Sequence, residues 1–113
     1  MIEGVRRSNC EKVLFRHNDM AHLEELLQKA GKDRPKLIVF ESLYSMDGDI
    51  APLPDIVRLA EQYDAFIMVD DAHASGVLGK NGAGTTSHFN LYGHVDIQLG
   101  TLSKALGVVG GYI

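Results

Sequence analysis

Two apolar runs without a polar interruption, at residues 37–40 (LIVF) and 65–69 (AFIMV), dominate the pattern of hydrophobic and polar positions. Such runs are typical of strands that are buried on both faces of a parallel sheet. Between them, Pro54 suits the first turn of a helix whose apolar positions are Ile56, Leu59, Ala60 and Tyr63. The pattern therefore predicts a strand, helix, strand unit.

Another helix is predicted nearer the start of the chain, from apolar positions at helical spacing: Met20, Leu23, Leu26 and Leu27. Asp19 is a suitable N-cap and Gly31 a suitable residue just beyond the C-terminus. Glu25 and Lys29 form an i,i+4 pair on the polar side of this helix. Residues 12–15, which precede the helix, are a short β-prone run.

The second half of the chain is richer in glycine. Four glycines within residues 75–86 break any period, so we expect a loop, with a short helix near residues 86–91. A strand is expected at roughly residues 95–99, and residues 110–113 begin one more. Alternating strands and helices predict an α/β fold with a mainly parallel sheet. Both ends fall inside predicted elements, so residues 1–113 are expected to be a fragment of one larger domain, with no second domain.

Composition narrows the functional classes. A formal net charge of -4 argues against nucleic-acid binding, which needs clustered Lys and Arg. A single cysteine, Cys10, excludes an internal disulfide and a multi-cysteine metal site, and it fits a reducing cytoplasm. No apolar stretch is long enough to act as a signal peptide or to cross a bilayer. We therefore expect a cytoplasmic protein that binds neither nucleic acid nor membrane.

Three polar clusters follow predicted strands, at residues 41–45, 70–73 and 101–104. Ligands of open parallel sheets bind at the carboxyl ends of the strands, so these clusters should share one edge. Asp70 beyond a buried strand calls for a compensating cation, such as a protonated ring nitrogen. Lys104 could form a Schiff base with an aldehyde, and the hydroxyls of Thr101 and Ser103 suit a phosphate. These are the demands of pyridoxal 5'-phosphate (PLP).

Three strings carry a family resemblance: SMDGDIAPL at residues 45–53, MVDDAHASGVLG at 68–79 and GTLSKALG at 100–107. They resemble the core motifs of the α-oxoamine synthases, PLP enzymes with the type I, aspartate aminotransferase-like fold. The resemblance implies a homodimeric enzyme that condenses a small amino acid with an acyl-CoA, usually with decarboxylation, to give an α-oxoamine and CoA. The strings look nearer to the oxononanoate synthase branch, which serves biotin biosynthesis, and to the ketobutyrate ligase branch than to the aminolevulinate branch.

The resemblance also implies residue roles. Lys104 matches the lysine that binds the PLP aldehyde and then acts as general base, and Asp70 matches the aspartate that pairs with the pyridine nitrogen. His73 and Ser45 match residues at the phenolic oxygen of the cofactor. Thr101 matches a phosphate ligand, with Ser103 as a further phosphate candidate. Lys104, His73 and Asp70 are therefore the predicted catalytic residues, and all six are predicted to bind PLP. Glu41 matches an acidic position of open role, and Asp71 is expected to be structural.

The glycines, acidic residues and remaining histidines do not fit other common sites. The spacing of Gly76 and Gly79 does not fit a phosphate loop, and the sequence Asp47-Gly48-Asp49 lacks the rest of a calcium loop. The remaining histidines show no metal-ligand spacing, so no metal is expected: His17, His22, His88 and His94. Two alternatives stay open, namely another type I PLP reaction, such as transamination or lyase chemistry, and a non-catalytic fragment.

Overall fold

The computed structural model describes residues Met1–Ile113. Four helices and four strands follow one another, with one 3₁₀ turn at Lys80–Gly82. In chain order they are α1 (Ile2–Arg7), α2 (Met20–Ala30), β1 (Lys36–Glu41), α3 (Leu53–Tyr63), β2 (Ala65–Asp70), α4 (Thr85–His88), β3 (Ile97–Thr101) and β4 (Gly111–Tyr112). The strands form one sheet in the order β1-β2-β3-β4. The first three strands are parallel, and β4 pairs antiparallel with β3, so the predicted α/β sheet is confirmed.

The two long helices begin and end where the sequence predicts. Asp19 caps α2, because its carboxylate accepts a hydrogen bond of 2.9 Å from the backbone N–H of His22. This bond is the main reason that the pKa of Asp19 lies below its ordinary value. Lys29 donates to Glu25 at 2.6 Å on the exposed side of the helix. Pro54 lies in the first turn of α3, where a missing N–H costs nothing.

The core lies on one face of the sheet. The apolar faces of α2 and α3 pack there against alternate residues of β1 and β2, which are Ile38, Phe40, Ile67 and Val69. On the opposite face Leu37 remains 50% exposed, and its register partner Phe66 remains 58% exposed. The prediction that both strands are buried on both faces is therefore wrong for this chain, because no element of residues 1–113 covers the second face.

Two local predictions need correction, and one short helix was not predicted. Residues 12–15 form no strand, and Leu14 is 90% exposed, because no neighbouring strand supplies hydrogen-bond partners for this run. The short helix α4 begins before the predicted start at residue 86 and ends earlier, at His88. Helix α1 was not predicted; it has no buried residue and is supported by the exposed ion pairs of Glu3 with Arg6 and Arg7.

The helices are all short. The longest, α2 and α3, have 11 residues each. No helix of the chain has the length and apolar character that crossing a bilayer requires.

Candidate active site

The three polar clusters meet at one edge of the sheet, as predicted. In the parallel register, Glu41 at the end of β1 lies beside Asp70 at the end of β2. Asp70 in turn lies beside Leu99 in β3, two residues before Thr101. The carboxyl ends of three adjacent parallel strands therefore present residues 41–45, 70–73 and 101–104 on the same side of the molecule.

The end of β2 and the tight turn after it carry two of the predicted catalytic side chains. Asp70 Oδ1 accepts a 3.1 Å hydrogen bond from the backbone N–H of Ala72, which fixes one oxygen of the carboxylate. The Asp71 carbonyl accepts from the N–H groups of Ala74 and Ser75, at 3.0 and 2.9 Å, so the chain turns as in a helix. His73 lies in this turn. Both Asp70 and His73 are half-buried, and the other Asp70 oxygen and the His73 ring have no hydrogen-bond partner within the chain.

Asp71 lies beneath this turn and is fully buried, with 0% exposure. Its Oδ1 accepts a 2.6 Å hydrogen bond from the Ser42 hydroxyl. Its Oδ2 accepts from Gln98 Nε2 at 3.0 Å and from the backbone N–H of Thr85 at 3.2 Å. Asp71 was expected to be structural, and its contacts show how. Its carboxylate links the end of β2 to the residue after β1, to strand β3 and to the start of α4.

A glycine makes room for this carboxylate. Gly84 has φ +92° and ψ -171°, a conformation that is essentially restricted to glycine. A Cβ at this position would overlap Asp71 Oδ2 and would lie 3.2 Å from Gln98 Nε2. Gly84 therefore permits both the entry into α4 and the close approach of the buried acid.

The end of β3 and the loop after it carry three more candidates, Thr101, Ser103 and Lys104. The hydroxyls of Thr101 and Ser103 lie 2.8 Å apart, and Thr101 also donates to the Gly110 carbonyl at 3.2 Å. The backbone N–H of Ser103 donates to Thr101 Oγ1 at 3.3 Å. Lys104 is exposed, and its amine makes no hydrogen bond or ion pair in the chain. The two hydroxyls thus form a compact polar pair, and the lysine amine projects from the same loop.

Ser45 lies in the turn between β1 and α3. The turn is closed by a 2.8 Å hydrogen bond from the Gly48 N–H to the Tyr44 carbonyl. Ser45 is exposed, and the structure shows no hydrogen bond between its hydroxyl and the other predicted site residues. Burial raises the pKa of the neighbouring Tyr44 phenol, and the nearby carboxylates of Asp49 and Glu41 add to this shift.

Hydrogen bonds to residues that are distant in the sequence hold the same turn in place. His17 Nε2 and Asn18 Nδ2 lie 2.8 and 2.9 Å from Asp49 Oδ2. The hydrogen bond from His17 is the main reason that the pKa of Asp49 lies below its ordinary value. Asp47 lies within 4.8 Å of this pair, but all three acidic and imidazole side chains are exposed, and we assign no metal to them.

A shallow cavity of about 300 Å³ adjoins the loop after β3. It is lined by Thr101, Ser75 and Tyr112, among others, and the Ser75 and Tyr112 hydroxyls lie 2.6 Å apart at its wall. A second cavity, of about 280 Å³, lies at the opposite end of the sheet, beside Ala65 and Asp96. Only the first of these cavities is at the edge that carries the candidate residues.

The chemical groups of these residues are those that PLP requires. The cofactor needs an amine for its aldehyde, a carboxylate for its pyridine nitrogen and donors for its phosphate. The exposed Lys104 amine, the unpaired Asp70 oxygen and the Thr101–Ser103 hydroxyl pair offer these groups from adjacent strand ends.

The comparisons with known proteins agree with this geometry. The family model described as aminotransferase class I and II matches residues 1–113. The chain belongs to this family. Among curated relatives, 8-amino-7-oxononanoate synthase 1 of Bacillus velezensis is 62% identical over 112 residues, and that of Bacillus subtilis is 60% identical over 112 residues. Each match covers 99% of this chain and 29% of the relative.

A solved structure gives the same result for the fold. A variant serine palmitoyltransferase from S. paucimobilis, with a bound PLP–myriocin aldimine, superposes with a TM-score of 0.93 and 42% identity. This match covers 97% of our chain and 28% of the other chain. The resemblance to the α-oxoamine synthases and the predicted aminotransferase-like fold are therefore confirmed. The chain spans less than a third of the length of these relatives.

The sequence did not reveal two residues of this site. Ser42 and Gln98 became visible only through their hydrogen bonds to Asp71. A serine directly after an apolar strand is a weak signal, and a glutamine within a strand carries none.

Proposed function

We propose that the protein is a PLP-dependent acyltransferase that condenses a small amino acid with an acyl-CoA, releasing CoA and usually carbon dioxide. The observation that carries this proposal is the placement of Lys104 and Asp70 at the ends of adjacent parallel strands. The high identity to 8-amino-7-oxononanoate synthases over the whole chain supports the acyl-CoA reaction over other PLP chemistry. Biotin biosynthesis is the corresponding cellular role.

When bound, PLP supplies an electrophilic aldehyde and an electron-accepting pyridinium ring. Lys104 would hold the aldehyde, which the exposure of its amine allows, and once displaced by the amino group of the substrate its free amine would take the α-proton as general base. Thr101 and Ser103 hold the phosphate with hydroxyls that already lie 2.8 Å apart. The group that would receive the α-proton, the Lys104 amine, therefore lies on the same loop as the phosphate candidate Ser103.

Asp70 holds the ring proton. One oxygen of its carboxylate is fixed by the Ala72 N–H, which leaves the other oxygen to accept from the pyridinium nitrogen. His73 and Ser45 bind the phenolic oxygen; neither side chain has a hydrogen-bond partner within the chain, so both are available for this contact. The carboxylate would stabilise the protonated ring because unlike charges attract each other.

We also propose that the protein works as a homodimer in the cytoplasm. The uncovered face of the sheet leaves Leu37 and Phe66 exposed, and the loop before β4 leaves Val109 99% exposed, so apolar surface is available for contacts outside these residues. The single cysteine, Cys10, is free and exposed, as suits a reducing compartment. Light scattering and cell fractionation test these two statements.

The function is tested by product analysis on the protein expressed from its complete gene. With added PLP, glycine or alanine should release CoA from an acyl-CoA, measured as free thiol. Lys104→Ala should abolish this release. Lys29→Ala, which removes a lysine on the exposed side of α2, should leave it unchanged. Keto-acid formation without CoA release would instead identify an aminotransferase or lyase.

A further inference from the structure

Asp71 is the most deeply buried charged residue of the site, and the proposed chemistry does not use it. Burying a carboxylate is costly unless donors compensate it. Here the compensation consists of three donors, which are the Ser42 hydroxyl, the Gln98 amide and the Thr85 backbone N–H. Every partner of the side chain is a donor, which is the arrangement that an acceptor-only carboxylate requires.

The donors connect Asp71 to the elements around the predicted catalytic turn. The peptide unit between Asp70 and Asp71 is held on both sides, because the Asp70 carbonyl accepts from the Ser42 N–H at 3.0 Å and the Asp71 N–H donates to the Leu99 carbonyl at 2.7 Å. The Ser42 side chain, in turn, is held by Asp71 Oδ1. The carboxylate therefore closes a ring of contacts that includes the backbone of Asp70.

The same residue supports His73. The Asp71 carbonyl accepts from the N–H groups of Ala74 and Ser75, so the turn that carries His73 starts from the peptide that the Asp71 side chain holds in place. A change in the orientation of Asp71 must move this turn or break its hydrogen bonds. The Asp70 carboxylate and the His73 ring would then shift relative to Lys104 on the neighbouring strand.

We propose that Asp71 is a positioning residue, which sets the orientation of the Asp70 carboxylate and of His73 through its bonds to Ser42 and Gln98. This inference rests on the proposed function, because it assigns Asp71 a task for the same PLP site. Its chemical basis is the pairing of one acceptor-only side chain with donors from three elements.

The test uses Asp71→Asn in the protein expressed from its complete gene. Asparagine has nearly the same shape, but it replaces one charged acceptor oxygen with an NH₂ group beside the Thr85 backbone N–H, so the charge and one hydrogen bond of this backbone donor are lost. We expect a rise of about tenfold in the Kd for PLP, since hydrogen bonds to a buried charge are lost. We also expect the pH midpoint of the visible absorbance of bound PLP to move by about half a unit or more.

A double variant separates positioning from general stability. The double variant Asp71→Asn with Gln98→Glu exchanges the two groups. The amide at position 71 then donates to the carboxylate at position 98, so the bond between these positions is kept with its polarity reversed. Both PLP readouts should return to within about twofold of the wild type. Leu27→Ala serves as the matched control, since it removes core packing on α2 and should lower the melting temperature without moving either readout.

Three results would overturn the proposal. Asp71→Asn, like Leu27→Ala, could lower the melting temperature without changing the Kd for PLP; the pH midpoint of the PLP absorbance could stay unchanged in Asp71→Asn; or the double variant could fail to restore the two PLP readouts. If Asp71→Asn does not fold, Ser42→Ala provides a milder variant that removes a single donor to Asp71. It should move the pH midpoint of the PLP absorbance by a smaller amount. An unchanged midpoint in Ser42→Ala would count against the proposal. A wild-type protein that shows no visible PLP absorbance would contradict the proposed function instead, so the two failures are distinguishable.

Discussion

Gly84→Ala should destabilise the protein more than an ordinary glycine substitution. Gly84 has φ +92° and ψ -171°, where an alanine is strained by about 1–3 kcal/mol. The added Cβ would also overlap Asp71 Oδ2, so the carboxylate must move away from its donors. A hydrogen bond to a buried charged group contributes about 1.5–3 kcal/mol, so the loss of one bond brings the expected total to about 2.5–6 kcal/mol.

Gly31 offers a matched control for the backbone strain. Its φ of 78° and ψ of 175° lie in the same region, but a Cβ there would meet nothing within 4 Å. Gly31→Ala should therefore show the strain alone. Denaturant unfolding of both variants, in the protein expressed from its complete gene, should place Gly84→Ala about 1.5 kcal/mol or more below Gly31→Ala at similar m values. Equal losses in the two variants would refute the argument that Gly84 makes room for Asp71.

Three further outcomes are expected. Leu59→Ala removes a side chain with 0% exposure from the packing of α3 on the sheet and should lower the free energy of unfolding by about 2–5 kcal/mol; a loss below about 1 kcal/mol would contradict the packing. Asp49, whose pKa His17 lowers from 3.8, should stabilise the fold fully above that pH and lose this contribution as the pH falls through the lower folded value. The difference in melting temperature between wild type and Asp49→Asn should therefore shrink in acid, and a constant difference would contradict it. Asp70→Asn should slow α-proton exchange of a bound amino acid by about 100-fold or more while PLP still binds; unchanged exchange would mean that another group protonates the ring.

Local signals account for the elements that the sequence predicts well. Helix α2 has an N-cap at Asp19, a glycine after its end and a 3.6-residue period between them, and all three act within the helix itself. Strands β1 and β2 are continuous apolar runs, a pattern that does not depend on knowing the partner strand. The shared edge of the three polar clusters follows from parallel pairing alone.

The sequence-based predictions fail where the outcome depends on distant groups. The β-prone residues 12–15 form no strand because no other strand lies beside them to pair. Ser42 and Gln98 are ordinary polar residues until the sheet brings both to Asp71, 29 and 27 residues away along the chain. The exposed face with Leu37 and Phe66 could not be predicted either, because an apolar run is compatible with one or two covered faces.

The covalent link to the cofactor tests the central claim most directly. The protein expressed from its complete gene is incubated with PLP, reduced with borohydride and digested, and the modified peptide is identified by mass spectrometry. The reduced PLP adduct should be found on Lys104, should disappear in Lys104→Ala and should persist in Lys80→Ala, which removes a lysine from the nearby 3₁₀ turn. A specific adduct on another lysine, with Lys104 unmodified, would contradict the assignment of the site.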